Sequence, residues 1–359
     1  MTALNIAFFG SSLVSAYWNG AATYYRGMLK NLAARGHRIT FYEPDAYDRQ
    51  KHRDMPDPDW ARVVVYAPDE GAALACLEEA KAADVLVKAS GVGVLDAFLE
   101  QGVPAVRRPD AQAIFWDVDA PATLARVNGD PDDPFRNEIP RYDRILTYGG
   151  GPPVVTAYKA LGARSCVPVY NALDPDTHHP VPVDPDLAAD LTFLGNRLPD
   201  REARVEQFFL NAAAALPARR FILGGAGWED KPIPENVRRL GHVFTADHNR
   251  LNVSACAVLN ICRESMAQTG YSPPTRVFEA AGAGACVVTD HWVGVEQFFE
   301  PGSEILVARS GAEVAGIVGE LDPARARSIG EAARRRALAD HTYARRAAQV
   351  EGLLTGVAA

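Results

Sequence analysis

A short stretch in the second half of the chain combines arginine with a carboxylate at the start of a predicted helix. The helix begins near Thr275, directly after Pro273-Pro274, with Arg276 in its first turn and Glu279 one turn later. Helix N-terminal amides bind anions such as phosphate, and arginine adds charge-assisted hydrogen bonds. Arg263 follows a nearby strand, and Glu279 could accept hydrogen bonds from two ribose hydroxyls. The pattern predicts a nucleotide site, with a surface or capping carboxylate as the alternative for Glu279.

A pair of carboxylates, Asp117 and Asp119, follows an apolar run in the first half. An Asp-x-Asp triplet can hold the Mg²⁺ or Mn²⁺ ion of a diphosphate, because hard cations prefer carboxylate oxygens. The same triplet recurs elsewhere, for example at 57–59 and 174–176, which weakens the metal interpretation. We therefore expect these residues to bind an acceptor hydroxyl and expect no metal. Helix capping by Asp119 remains open.

Two further loops follow predicted strands of the first half. One runs from Gly10 to Gly20, and the other from Tyr148 to Gly151. Glycine lets the backbone approach a ligand, and ligands bind beyond the carboxyl ends of the strands in an open α/β sheet. The residues expected to bind the acceptor are Ser11, Ser12, Asn19, Gly20, Tyr148, Gly149 and Gly150. The nearby aromatic residues, which could stack on a sugar or pack against the neighbouring domain, are Tyr17, Trp18, Tyr24 and Tyr25.

Two other patterns argue against particular functions. The first loop lacks the G-x-G-x-x-G fingerprint of dinucleotide binding, which disfavours a dehydrogenase. Without that fingerprint, we interpret Glu43, at the end of the second strand, as an ordinary exposed carboxylate. His178-His179 is interpreted as a solvated pair, because no third metal ligand lies nearby in the sequence.

The elements that must position these residues alternate along the whole chain. Short apolar runs and longer helical patterns follow each other, which is the rhythm of parallel sheets covered by helices. The expected strands are 5–9, 38–42, 63–66, 85–89, 105–106, 113–116, 145–148, 165–169, 191–194, 220–223, 257–261, 285–289 and 305–307. The fold class predicted is α/β, with two doubly wound Rossmann-like domains facing a cleft. Its parts are domain 1–170, a proline-rich linker 171–186, domain 187–340, and a C-terminal helix 341–359 that packs back on the first domain.

Composition excludes several classes of protein. The 359 residues include 37 Lys and Arg and 45 Asp and Glu, for a formal net charge of -8, so we expect no nucleic-acid partner. No apolar run approaches the roughly 20 residues of a membrane span, and the N-terminus lacks the basic and apolar regions of a signal peptide. The 5 cysteines form no C-x-x-C pair. We expect a cytoplasmic protein with free thiols and no zinc site.

Three segments carry a family resemblance: 275–284 (TRVFEAAGAG), 293–302 (VGVEQFFEPG) and 191–197 (LTFLGNR). Together with the linker at 170–180, they resemble the CgeB-like group of GT-B glycosyltransferases. The resemblance covers most of the second half, and the first half only by architecture and glycine loops. It implies transfer of a sugar, as by a hexosyltransferase, from a nucleotide diphosphate donor such as a UDP-sugar. The donor would bind the second domain, with an unidentified acceptor and without a metal or other cofactor.

The resemblance also assigns roles to residues. Glu279 matches the family's ribose-binding glutamate, whereas Tyr271 replaces a second glutamate eight positions earlier. Arg197 and Arg201, after Gly195, match the diphosphate-binding residues at a different spacing. In an inverting enzyme Asp117 or Asp119 would be the base, and in a retaining one the leaving phosphate can take the proton. The alternatives are a nucleotide-sugar epimerase of the same architecture and a non-catalytic sugar- or nucleotide-binding protein.

Overall fold

The computed structural model of the protein describes residues 3–17 and 19–356, so Trp18 lies outside the described residues. The chain divides into two compact units. Residues 1–170 and 343–359 belong to the first unit, and residues 171–342 to the second. In the described residues, no helix is both long enough and apolar enough to cross a membrane.

The first unit is built on a seven-stranded parallel sheet with the strand order β3-β2-β1-β4-β5-β6-β7. Its strands are β1 (Asn5–Phe9), β2 (Arg38–Pro44), β3 (Ala61–Tyr66), β4 (Val85–Ala89), β5 (Gln112–Asp117), β6 (Arg144–Thr147) and β7 (Cys166–Pro168). Its helices are α1 (Ala22–Ala34), α2 (Glu70–Ala80), α3 (Asp96–Val106), α4 (Ala120–Gly129), α5 (Phe135–Glu138) and α6 (Gly151–Ala160). β4 is buried along its whole length because helices cover both faces of a doubly wound sheet.

The second unit repeats this plan with a six-stranded parallel sheet in the order β10-β9-β8-β11-β12-β13. Its strands are β8 (Ala189–Leu194), β9 (Phe221–Gly224), β10 (Val237–Gly241), β11 (Ala255–Asn260), β12 (Val287–Asp290) and β13 (Leu306–Ala308). Its helices are α7 (Pro199–Val205), α8 (Asn211–Ala215), α9 (Thr245–Ser254), α10 (Glu264–Thr269), α11 (Thr275–Ala283), α12 (Gly311–Glu320) and α13 (Pro323–Asp340). The last helix of the chain, α14 (Tyr343–Thr355), lies in the first unit.

Both sheets reverse their winding direction at their first strand. β1 lies between β2 and β4, and β8 lies between β9 and β11, so each sheet grows outward in both directions from that point. A doubly wound sheet has its ligand-binding crevice at this reversal, beyond the carboxyl ends of the two central strands. The predicted α/β fold with two doubly wound sheets is confirmed.

Two strand assignments from the sequence differ from the structure. Residues 105–106 do not form a strand but the last turn of α3, because β4 pairs directly with β5 and the segment between them is the crossover helix. The pattern also misses β10, a strand at the edge of the second sheet. Only Val237 of its five residues is buried, so no apolar run in the sequence indicates this strand.

Candidate functional site

The predicted nucleotide residues lie at the winding reversal of the second sheet. β8 and β11 pair in parallel, with Phe193 opposite Leu259. Gly195 directly follows β8, and Arg263 comes shortly after β11. These residues therefore lie beyond the carboxyl ends of the two central strands, where this class of sheet binds ligands.

The helix α11 presents its N-terminus without a side-chain cap. Pro274 precedes it in an extended conformation, with φ -62° and ψ 147°, and no side chain accepts a hydrogen bond from the first amides. Thr275, the first helical residue, is half-buried. Uncapped amides at the positive end of a nine-residue helix can bind an anion.

Glu279 lies on the buried face of α11, and only 9% of it is exposed. Its Oε2 atom lies 3.1 Å from Arg276 Nη1, and its Oε1 atom lies 3.9 Å from His178 Nε2. Among the described residues, no group donates a hydrogen bond to this carboxylate. Burial alone would raise the pKa of Glu279, but the Arg276 guanidinium, with His178 and His248, holds that pKa below its usual value. The alternative of a surface carboxylate is therefore wrong.

Two histidines that the sequence did not connect lie beside Glu279. His178 is 2% exposed, and its ring centroid lies 6.1 Å from that of His248 on α9. Burial lowers the pKa of both, to about 4 for His248. The interpretation of His178-His179 as a solvated pair is wrong for His178, because the segment before β8 packs its side chain inside the unit. His179 is exposed.

Arginine side chains with buried, unpaired nitrogens approach the same place. Arg276 Nε and Arg201 Nε are buried and have no hydrogen-bond partner among the described residues, and Arg276 Nη1 has only its ion pair with Glu279. Burial lowers the pKa of Arg201; Asp200 opposes this effect, and Arg276 and Arg263 add to it. The three arginines therefore act on one another electrostatically, and an anion between them would relieve both the repulsion and the missing hydrogen bonds.

Other predicted donor residues already have partners. Arg197 pairs with Glu202 at 2.7 Å and Asp230 at 2.8 Å, and Arg263 pairs with Asp200 at 2.6 Å. These carboxylates neutralise the charge that Arg197 and Arg263 would offer to a phosphate. Arg201 has no ion pair among the described residues and is therefore better placed than Arg197 to bind one, whereas Arg276 shares its charge with Glu279.

Gly195 has a structural task in the second unit. Its amide donates to the Gly224 carbonyl at 2.9 Å, and its carbonyl accepts from Trp228 Nε1 at 2.8 Å. Gly225 adopts a φ of +120°, and a Cβ there would lie 2.2 Å from the Gly195 carbonyl oxygen. The backbones of the loops after β8 and β9 are in contact. The Gly195 amide donates its hydrogen bond within this contact and is not available to a ligand.

Asp117, predicted as a base, is fully buried at the end of β5. It accepts hydrogen bonds from Ser90 Oγ at 2.7 Å, Thr123 Oγ1 at 3.0 Å, the Asp119 amide at 3.0 Å and Tyr158 Oη at 2.5 Å. Burial raises its pKa, against these hydrogen bonds. Three of these donors bind Oδ1 and Tyr158 alone binds Oδ2, so the carboxylate is held inside the fold by its own neighbours. Its role as a base stays a prediction.

Asp119 is half-buried immediately before α4. Its side chain does not cap that helix, although it stands at the capping position. The capping alternative is therefore wrong, and Asp119 remains the predicted base of the first unit.

The first predicted acceptor loop is held together by its own polar side chains. Ser11 Oγ donates to Asn19 Oδ1 at 2.9 Å, and Asn19 Nδ2 donates to the Ser12 carbonyl at 2.8 Å. Glu43 is fully buried and accepts from Ser12 Oγ at 3.0 Å and the Leu13 amide at 2.6 Å, so its interpretation as an exposed carboxylate is wrong. Gly20 is exposed. Ser11, Ser12 and Asn19 shape this loop from within.

The second predicted acceptor loop leads from β6 into α6. The half-buried Tyr148 packs edge-on against Tyr24, with ring centroids 5.5 Å apart. Gly149 is buried, and Gly150 has a φ of +88° immediately before α6. A glycine is required at Gly150 because a Cβ there would lie 2.0 Å from a Val154 methyl.

Comparison with solved structures identifies proteins that share this fold. Solved structures that share the fold are GT-B glycosyltransferases. HepE from Anabaena in complex with UDP is 16% identical with a TM-score of 0.70, covering 98% of this chain and 100% of that chain. Sucrose-phosphate synthase from Thermosynechococcus elongatus is 13% identical with a TM-score of 0.71, covering 99% of each chain. A glycosyltransferase from Rickettsia africae is 11% identical with a TM-score of 0.66, covering 99% of each chain.

Sequence comparison finds a match to a protein family for one region of the chain. Residues 201–352 match the family described as glycosyl transferase-like. No curated protein sequence matches the chain significantly. The chain thus contains a glycosyltransferase-like region that includes Arg201, Arg276 and Glu279, within a fold shared with GT-B glycosyltransferases.

Proposed function

We propose that the protein is a glycosyltransferase that moves a sugar from a nucleotide diphosphate donor to an acceptor hydroxyl. The Glu279 carboxylate carries the proposal, because it is nearly buried and accepts no hydrogen bond from the described residues. Buried polar groups in native proteins normally have hydrogen-bond partners, and two ribose hydroxyls would supply them. The glycosyltransferase-like match and the UDP bound by HepE support a UDP-sugar as donor.

The diphosphate would lie beside the ribose, between the N-terminus of α11 and two arginines. The Nε atoms of Arg201 and Arg276 are buried and have no hydrogen-bond partner in the part of the chain that the structure describes. The leaving diphosphate gains negative charge as the glycosidic bond breaks, and fixed donors stabilise that charge more than they stabilise the intact donor. In this proposal the transfer needs no metal ion. In this proposal the protein is a CgeB-like enzyme that transfers a hexose. The first unit binds the acceptor, and Asp119 takes the proton of the acceptor hydroxyl if the reaction inverts configuration.

Replacing Glu279 by Gln is expected to weaken UDP binding by about 1–3 kcal/mol, the range for a hydrogen bond to a charged group. The change keeps the size of the side chain but removes the charge that makes it a strong acceptor. Isothermal titration calorimetry of UDP with the wild type and Glu279→Gln measures the difference.

The matched control is Glu296→Gln, because Glu296 is an exposed glutamate of the same unit. Equal UDP affinity in wild type and Glu279→Gln, with unchanged thermal stability, would remove Glu279 from the nucleotide site. Incubation of a UDP-sugar with and without an acceptor panel then separates the enzyme classes. Transfer supports the proposal, whereas epimer formation without acceptor, or binding without turnover, contradicts it.

A further inference from the structure

The residues around Glu279 also have the composition of a transition-metal site. His178, His248 and Glu279 each offer one ligand atom, and these atoms all lie within 4.8 Å of one another. Two imidazole nitrogens and one carboxylate oxygen form a donor set that zinc takes in proteins. We propose that this cluster, from here on the His-His-Glu cluster, binds Zn²⁺ when no nucleotide is present.

One nitrogen of each ring is available to a metal. His178 Nε2 and His248 Nδ1 are buried and have no hydrogen-bond partner among the described residues.

The distances allow coordination after a small movement. Zinc bonds of about 2.0–2.1 Å in a tetrahedral arrangement place donor atoms roughly 3.4 Å apart. His178 Nε2 and Glu279 Oε1 are 3.9 Å apart, so small side-chain rotations bring them to that distance. Three protein ligands leave the fourth position open to water.

Arg276 opposes a cation at this site. It lies 3.1 Å from Glu279 Oε2, the oxygen that does not face His178. The guanidinium can therefore hold the carboxylate in place while Oε1 coordinates the metal, but its charge reduces the affinity for Zn²⁺. The same charge favours a diphosphate, so Arg276 acts in opposite directions on the two ligands.

Metal binding is tested on the full chain without nucleotide. Calorimetric titration with Zn²⁺, and with Co²⁺ as a probe whose visible spectrum reports its ligands, is expected to show one site. His248→Ala should weaken Zn²⁺ binding by roughly tenfold or more. His248 is less buried than His178, so this variant is the safer choice for folding. The control is His242→Ala, because His242 is an exposed residue directly after β10 in the same unit. This variant should bind Zn²⁺ as tightly as the wild type.

Arg276→Gln supplies the second measurement and separates this inference from the proposed function. It is expected to tighten Zn²⁺ binding several-fold and to weaken UDP binding. Wild-type protein that binds no Zn²⁺, or binds it equally well in His248→Ala, overturns the zinc site. Competition between UDP and Zn²⁺ is also expected, and this expectation alone rests on the proposed function. Zinc binding that depends on His248 but is indifferent to UDP would keep the metal site and overturn the assignment of Glu279 to the nucleotide.

Discussion

At the scale of single residues, Glu279 shows how a helix can hold a charge inside a core. Its neighbours along α11, from Val277 to Ala283, are all buried. A lone carboxylate in that position would take up a proton, because burial disfavours the charged form. Arg276 keeps its pKa low, so the carboxylate remains an acceptor for hydroxyl groups.

His248, beside Glu279, makes the stability of the protein depend on pH. Burial lowers the pKa of His248 from 6.5 to about 4, and the charged or titratable groups that act on it are Arg276, Glu279 and His178. Between these pH values the unfolded chain binds a proton that the folded chain does not. The free energy of unfolding should therefore keep its full value above pH 6.5 and fall by about 2–3 kcal/mol as the pH drops toward 4.

Urea unfolding over this pH range, in the wild type and in His248→Gln, measures the contribution. The variant should show a shallower decline, whatever its stability at neutral pH. His242→Gln, which changes an exposed histidine, should keep the wild-type slope. Parallel curves for wild type and His248→Gln would mean that the proton uptake occurs elsewhere.

At the scale of elements, α11 is held close to the segment that carries His178. Gly282 makes the approach possible: a Cβ there would lie 2.3 Å from Leu173 Cδ1 and 2.9 Å from the His178 carbonyl oxygen. The carbonyl belongs to the backbone, so it cannot turn aside as a side chain can. The spacing between Glu279 and His178 therefore depends on a residue without a side chain.

Gly282→Ala is expected to destabilise the protein by about 1–3 kcal/mol, because overpacking forces backbone shifts. It should also weaken UDP binding, since α11 carries Glu279. Denaturant unfolding and UDP calorimetry measure the two effects. Gly316→Ala is the matched control in α12, where a Cβ would meet nothing within 4 Å.

The control should gain about 0.4–1 kcal/mol of stability, because alanine restricts the unfolded chain more than glycine does. Its UDP affinity should equal that of the wild type. If Gly282→Ala behaves like Gly316→Ala, then α11 and the segment that carries His178 are not in close contact.

Most elements were predictable because each strand of a parallel sheet is a short apolar run between helical patterns. The alternation located twelve of the thirteen strands and the start of α11, and β10 escaped because an edge strand needs few buried residues. The sequence predicted Glu279 as a site residue because it lies about one turn into a helix that follows two prolines. The partnership of His178 with His248 could not be found, because some 70 residues separate them and only the folded unit brings their rings together.

At the scale of the whole molecule, the chain returns to the first unit after completing the second. Tyr343, at the start of α14, is 1% exposed, and a Cβ on Gly27 of α1 would lie 2.3 Å from its ring. Gln349 donates to the Pro168 carbonyl at 3.0 Å, and Glu351 pairs with Arg35. α14 is therefore an integral helix of the first unit.

Tyr343→Ala is expected to cost about 3–5 kcal/mol in the first unit, as for other large buried aromatic residues. UDP affinity should be unchanged, because the proposed nucleotide residues all belong to the second unit. Hydrogen exchange should rise in α1 and stay constant in α11. Leu74→Ala, which trims an exposed side chain of the first unit, should leave both unchanged. Loss of UDP affinity in Tyr343→Ala would show that the two units are not energetically separate.

The position of α14 also sets the order in which the protein can mature on the ribosome. The second unit is one uninterrupted stretch, from 171 to 342, and all of it is synthesised before Tyr343. The first seven strands emerge early but lack the helix that covers α1 until synthesis has passed the whole second unit. The unit that starts first therefore finishes last, and until then the surface of α1 that Tyr343 covers stays exposed, which favours aggregation.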